Sequence, residues 1–319
     1  MNTGLRIAAF GTAVAAIFGA AYGVGKGVGP LGEDTRPAHA AGPHTEPGPG
    51  DRKAASSAGG LQVSAAGYTL ALDTPRVSPG ERTPLRFSIR DARGRKVTAY
   101  TREHEKELHF IVASRDLTVF RHLHPTRAAD GTWSTTADLP AAGGYRAFAD
   151  FKPAKKGAEA LTLGADLAVS GTYAPNPLPA PSRTAEVDGY EVTLAGALKP
   201  AKSSTLTLKV SRNGEPVTDL QPYLGAYGHL VALRSGDLAH LHVHPHGAPR
   251  DGATRPGPEV AFSVTAPSPG TYRLFLDFQH GGTVRTAAFT VEAGPAARPG
   301  DPVAPEAVHD DAHGTADRH

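Results

Sequence analysis

The chain states one pattern twice. His109 opens the run His-Phe-Ile-Val-Ala, and His122-Leu123-His124-Pro125 follows it. His229 opens His-Leu-Val-Ala-Leu, and His242-Val243-His244-Pro245 follows that. All three histidines and the proline are displaced by 120 positions, without a gap. Farther on, Tyr145-Arg-Ala-Phe-Ala-Asp150-Phe matches Tyr272-Arg-Leu-Phe-Leu-Asp277-Phe at a shift of 127, because the second copy has a longer loop after its proline. A duplicated segment folds as two copies of one unit, and that unit is where function should be sought.

Within each copy the apolar residues alternate over short runs, as in Tyr68–Leu72 and Leu85–Ile89. Turn signals separate these runs: Ser78-Pro79-Gly80, Ala92-Arg93-Gly94, Asp130-Gly131 and Ala142-Gly143-Gly144. Alternation with period two marks half-buried strands, and strands at this spacing build a sandwich or barrel. Leu108–Ala113 is a nearly continuous apolar run. The expected fold is all-β: two tandem immunoglobulin-like β-sandwich domains of about seven strands each, behind an N-terminal transmembrane helix. The repeats should occupy 61–171 and 185–293. Between them, 172–184 holds four prolines within Thr172–Ser182 and reads as a stiff linker. The tail, 294–319, is Pro, Ala, Asp and His, too polar to bury a core.

At the N-terminus, Leu5 to Val24 is apolar or glycine apart from Arg6 and Thr12, and the next charge is Lys26. An uncharged stretch of ~20 residues is long enough to cross a bilayer. The one inviting Ala-x-Ala, Ala38-His39-Ala40, lies far beyond that apolar core. Residues 1–28 are therefore expected to be an uncleaved anchor rather than a cleaved signal, and 29–60 a Pro/Gly/Ala/Ser-rich tether. Either reading exports the repeats, anchored to the cell membrane or secreted.

Composition narrows the chemistry. There is no cysteine, and Met1 is the sole methionine, so thiolate and thioether ligands are missing and a typical Cu(I) carrier is not expected. The net charge is only +2, and no basic stripe with interleaved aromatics suggests a nucleic-acid partner. No Gly-x-Ser-x-Gly elbow, phosphate loop or His-Glu-x-x-His helix occurs, so an enzyme is not expected, nor an organic cofactor.

Histidine, in contrast, occurs 15 times, in clusters. Residues two apart on a strand share a face, so His122 and His124 should project together, as should His242 and His244. Two adjacent imidazoles make half of a Zn(II) or Cu(II) site. His109 and His229 are candidate third ligands. Asp150 and Asp277 are candidate fourth ligands, or acceptors that fix a histidine tautomer. His240 and His246 add donors in the second copy alone. The bland alternative stays open beside this one: histidines at the rim of each core, hydrogen-bonded to Asp150 and Asp277, would tie strand ends together in a cell-envelope module that binds a protein partner and no metal. The tail histidines His309, His313 and His319, with Asp310 and Asp311, are a weaker signal. Trp133 aligns with Val260 and should be core.

The run Leu108-His-Phe-Ile-Val, Arg115-Asp-Leu, His122-Leu-His-Pro, Asp130-Gly-Thr-Trp and Gly143-Gly-Tyr-Arg-Ala-Phe-Ala-Asp-Phe resembles exported bacterial modules close to the YtkA-like family. The resemblance covers most of each repeat. It implies an immunoglobulin-like sandwich and an association with heavy-metal or copper handling. It implies no activity, and the missing Cys and Met leave the metal open between Cu(II) and Zn(II).

The anchor reading has a direct check. In the native host the full-length chain should sediment with membranes while its repeats remain open to external protease. A mature protein beginning near Ala41 and released into the medium would contradict the anchor.

Overall fold

Among the described residues, strand after strand forms because apolar side chains alternate between short turns. The computed structural model describes residues 58–294 apart from His242. The expected anchor, residues 29–57 of the tether, the tail from 295, and His242 lie outside the described residues. Among the described residues no helix is long and apolar enough to cross a membrane. All of these residues belong to one compact unit, Ala54–His319.

The first repeat contributes β1 (Ser64–Ala65), β2 (Tyr68–Leu72), β3 (Arg76–Val77), β4 (Gly80–Arg90), β5 (Tyr100–Thr101), β6 (Leu108–Ser114), β7 (Phe120–Leu123), β8 (Thr126–Arg127), β9 (Thr132–Leu139), β10 (Gly143–Pro153) and β11 (Leu161–Val169). The second contributes β12 (Thr184–Val187), β13 (Tyr190–Ala195), β14 (Ser203–Arg212), β15 (Glu215–Pro216), β16 (His229–Arg234), β17 (Val243–Pro245), β18 (Glu259–Thr265), β19 (Gly270–His280) and β20 (Thr283–Ala293). Each repeat thus exceeds the seven strands expected, because edge segments of two to four residues add to the long ones.

In the first repeat the sheet β1-β2-β4-β9-β8 faces the sheet β3-β11-β10-β6-β7, with β5 pairing β10. In the second, β12-β13-β14-β18-β17 faces β16-β19-β20. Each sandwich closes on its own core. Phe87, Phe110, Trp133 and Tyr145 anchor the first, and Tyr190, Phe262, Phe278 and Phe289 the second. Trp133 is 2% exposed and its Nε1 donates to the Tyr100 hydroxyl at 3.2 Å.

A third apolar cluster belongs to neither sandwich. Ile111, Ala113, Leu117, Phe120 and Phe148 of the first repeat pack against Val231, Leu233, Leu238 and Phe275 of the second. Most of these side chains lie on the outer faces of β6-β10 and β16-β19, with Phe120 added from β7 and Leu117 and Leu238 from the turns after β6 and β16. The two repeats therefore stand back to back, and β6 is buried on both faces along its whole length. That is why Leu108–Ala113 reads as a continuous apolar run and not as an alternation.

The contact is reciprocal. Phe120 stacks on Phe275 at 3.9 Å, with planes 5° apart. Its repeat equivalent, His240, packs on Phe148, the equivalent of Phe275, at 6.0 Å. Residue i meets j′ and j meets i′, the signature of a two-fold relation. The last residues expected in the tether join this seam. Gly59 and His240 exchange backbone hydrogen bonds at 3.0 and 2.9 Å, and Gly60 donates to the Thr162 carbonyl at 2.8 Å. Gly60 sits at φ +72°, and a Cβ there would fall 2.4 Å from the Phe148 ring. Arg146 holds the strap by donating to the carbonyls of Gly60 (2.7 Å) and Leu61 (2.8 Å). The proline segment is also laid against the body: Asn176 N–H donates to Asp116 at 3.0 Å, and Ser182 N–H to the Thr290 carbonyl at 3.0 Å.

Because the centre of the seam is a buried apolar cluster, removing its central ring should be costly. Phe275→Ala is expected to destabilise the protein by about 3 kcal/mol in urea denaturation. A loss below ~0.5 kcal/mol, the level of an ordinary surface change, would show that the repeats do not rest on one another.

Candidate metal centre

The register places one histidine and one aspartate side by side in each repeat. His109 is the cross-strand partner of Asp150 on β6 and β10, and His229 is that of Asp277 on β16 and β19. Both pairs lie on the outer faces that dock. His122 is opposite Ile111 on β7, so it shares that face too. Docking then gathers histidines from both repeats. His109, His122 and His229 each offer a ring nitrogen within 4.8 Å of the others.

The outcome differs from two separate clusters, one per repeat. His229 joins the first-repeat histidines, and its ring lies parallel to His109 at 5.4 Å. His124, just past β7, is next to them, 5.3 Å from His109 and 4.9 Å from His122 between ring centres. His244 is exposed on β17 and stays out of the triad. Asp277 acts across the seam: its Oδ2 accepts from Nδ1 of His122, of the other repeat, at 2.7 Å. Asp150 does not hydrogen-bond His109; its Oδ1 accepts from the Thr162 hydroxyl at 3.0 Å. Thr286 does the equivalent for Asp277, at 2.5 Å. The physical reason is that cross-strand neighbours on one flat face point outward together, so a second sheet is needed to bring a partner in front of them.

Tautomers follow from the partners. Nε2 of His109 lies 3.2 Å from the Glu103 carbonyl, which can only accept, so this nitrogen carries the proton. Its Nδ1 is then a bare lone pair. Nδ1 of His122 faces the Asp277 carboxylate and carries a proton, which leaves Nε2 as the outward nitrogen. Those two outward nitrogens, Nδ1 of His109 and Nε2 of His122, face each other at 3.1 Å. Two lone pairs that close repel unless a cation lies between them.

That gap has the spacing of two nitrogens that share one metal ion. With metal–nitrogen bonds of ~2.0–2.1 Å, adjacent ligand nitrogens stand ~2.9–3.3 Å apart and ring centres ~5 Å apart. The observed ring separations are 5.3 Å for His109–His122, 4.8 Å for His122–His229 and 5.4 Å for His109–His229. His124 adds an orphan: its Nε2 is buried and, among the described residues, has no hydrogen-bond partner. Burial also keeps His109, His124 and His229 neutral, as ligands must be. Desolvation holds His109 down at about 3 and His124 at about 4, and it holds His229 well below its ordinary value.

A cavity of about 500 Å³ opens on this cluster, reaching His109 and His229 and lined also by His104, Asp150, His240 and His244. His104 was not among the residues singled out in the sequence. Its one signal there is its place in the charged run Glu103-His104-Glu105-Lys106-Glu107, immediately before β6.

Fold and site together define an all-β protein of two back-to-back sandwiches with a histidine cluster on the seam. The chain belongs to a family described as Domain of unknown function (DUF8832), which matches twice, over residues 62–164 and 185–294. No curated protein matches it. Among solved structures, a mutant of Salmonella alpha-2-macroglobulin is 16% identical, with a TM-score of 0.25 over 76% of this chain and 15% of that one. The Escherichia coli adhesin FdeC is 16% identical, with a TM-score of 0.21 over 72% of this chain and 65% of that one. Invasin, a bacterial integrin-binding protein, is 12% identical, with a TM-score of 0.21 over 72% and 39%.

The lowered histidines set a pH dependence. In the unfolded chain they protonate near 6.5, whereas in the fold His109 and His124 stay neutral to about 3 and 4. Below 6.5 the unfolded state binds more protons, so stability is full above that pH and is lost as pH falls toward 4. Metal-free protein should therefore denature at lower urea at pH 5 than at pH 7.5, and His124→Ala should flatten the trend. Stability that is flat or rises on acidification would contradict the buried, neutral rings.

Proposed function

We propose that this chain is an extracytoplasmic, membrane-tethered protein that binds or buffers one divalent ion, Cu(II) or Zn(II), on the seam between its repeats. The ligands are His109, His122 and His229, with His124 beside them as a candidate fourth. Asp277 fixes and polarises His122 from the opposite repeat. The observation that carries this reading is the pair of outward nitrogens 3.1 Å apart, each on a ring whose other nitrogen is already engaged. The supply of neutral imidazoles, the buried orphan Nε2 of His124, and the resemblance to exported immunoglobulin-like modules of metal handling support it.

A second reading is favoured by the same contact. If the cation in the gap is a proton, His122 is a buried imidazolium bound to Asp277 and to Nδ1 of His109. The histidines are then struts of a cell-envelope interaction module. The two readings differ in what His122→Ala does. Under the metal reading, calorimetry on the full chain should give one tight site per chain. His122→Ala should weaken it by ~100-fold or more, about 3 kcal/mol. Replacing His309 and His313 together should leave the tight site within ~3-fold, because its ligands lie on the seam. Binding that follows the tail histidines and ignores His122 would contradict the seam site and leave the strut.

A further inference from the structure

We infer that His104 is the exchange ligand of this site: it takes the divalent ion from solvent at the cavity mouth and passes it to His109 and His229. The inference rests on the metal reading above.

A buried three-histidine site has an exchange problem. An ion enclosed by inward-facing rings gains and loses ligands slowly unless another donor can reach it from the solvent side. The cavity of about 500 Å³ supplies the route, since it joins His109 and His229 to the surface. His104 lines that route and is exposed. Its ring centre lies 5.6 Å from His229 and 6.1 Å from His109. Both separations are longer than the 4.8–5.4 Å among His109, His122 and His229, and His104 is not grouped with those three nitrogens. His104 is thus one small side-chain movement from the triad and not part of it.

The backbone beneath it is unusual in a way the duplication exposes. Glu103 and Lys106 bridge across a tight turn, as Tyr223 and Ala226 do in the second repeat. In both turns the two central residues have positive φ, at +48° and +65° for His104 and Glu105, and +56° and +76° for Leu224 and Gly225. Two consecutive left-handed residues are the mark of a type I′ turn, which favours Asn and Gly. The second repeat meets this with Gly225 and folds Leu224 into the interior, where it is 2% exposed. The first repeat holds two non-glycine residues left-handed, a conformation that side chains with a Cβ adopt only under strain. It thereby projects an imidazole outward where its copy has a buried leucine. Strain of this kind collects where function holds it. The same turn carries the Glu103 carbonyl that fixes the His109 tautomer, so the turn that holds one ligand also presents the next donor.

Loading then proceeds by ligand replacement. The hydrated ion loses one water and gains a nitrogen of His104. It next gains Nδ1 of His109, a ring nitrogen of His229 and Nε2 of His122, losing one further water for each, and the bond to His104 breaks. Removal runs the same steps backward. Nothing is oxidised or reduced, and the ion keeps its charge.

Stopped-flow loading of full-length protein with Cu(II), and its removal by EDTA, followed by Cu(II) absorption, tests this in parent, His104→Leu and His122→Ala chains. Leucine is what the second repeat carries at this turn, so His104→Leu is a substitution the turn accommodates. Both loading and removal should slow by on the order of tenfold in His104→Leu. Free imidazole in the buffer should restore both rates. Rates equal to the parent would overturn the exchange role, as would a faster removal with unchanged loading, which marks an ordinary ligand. A parent chain that binds no Cu(II) at the seam, or binds it identically after His122→Ala, overturns the metal reading itself.

Discussion

The back-to-back packing of the two repeats is the constraint on which everything else depends. Each sandwich exposes a second apolar face on the sheet that carries its histidine, and neither face can be left in water. Phe120 on Phe275, with Ile111, Phe148, Val231 and Leu233 around them, closes that face. The histidines sit at the end of the same strands, where the apolar strip gives out. Burying the strip therefore brings His109 and His229 together whatever their chemistry, and carries Asp277 in front of His122.

From that docking the electrostatics follow. A carboxylate that is 2% exposed has to be satisfied, and Asp277 is satisfied by Thr286 of its own repeat and His122 of the other. Satisfying Asp277 fixes the proton on His122, just as Glu103 fixes it on His109. The remaining nitrogens have nowhere to turn but toward each other. The cluster is thus a consequence of two locks, one within a repeat and one across the seam, and the proposed ion would occupy the space they enclose.

Much of this was legible in the sequence, and the rest was not for identifiable reasons. Alternation and turn residues were enough to read strands, and the shift of 120 was enough to read two copies. The nearly continuous apolar run Leu108–Ala113 is explained only by the structure, where β6 is covered on both faces. Spacing along one chain, however, groups His109 with Asp150 and His229 with Asp277, because register does so. It does not say which outer faces meet, so the pairing of His122 with Asp277 stayed hidden. His104 was hidden differently: its counterpart is Leu224, and a search for what the copies share passes over the place where they differ.

The central claim is that one ion sits between the repeats, and anomalous X-ray scattering from crystals grown with Zn(II) or Cu(II) reads this directly. The account predicts a single strong peak on the seam, ~2.0–2.1 Å from Nδ1 of His109 and Nε2 of His122. Separate peaks within each repeat, or none on the seam while the 3.1 Å contact between His109 and His122 persists, would contradict it.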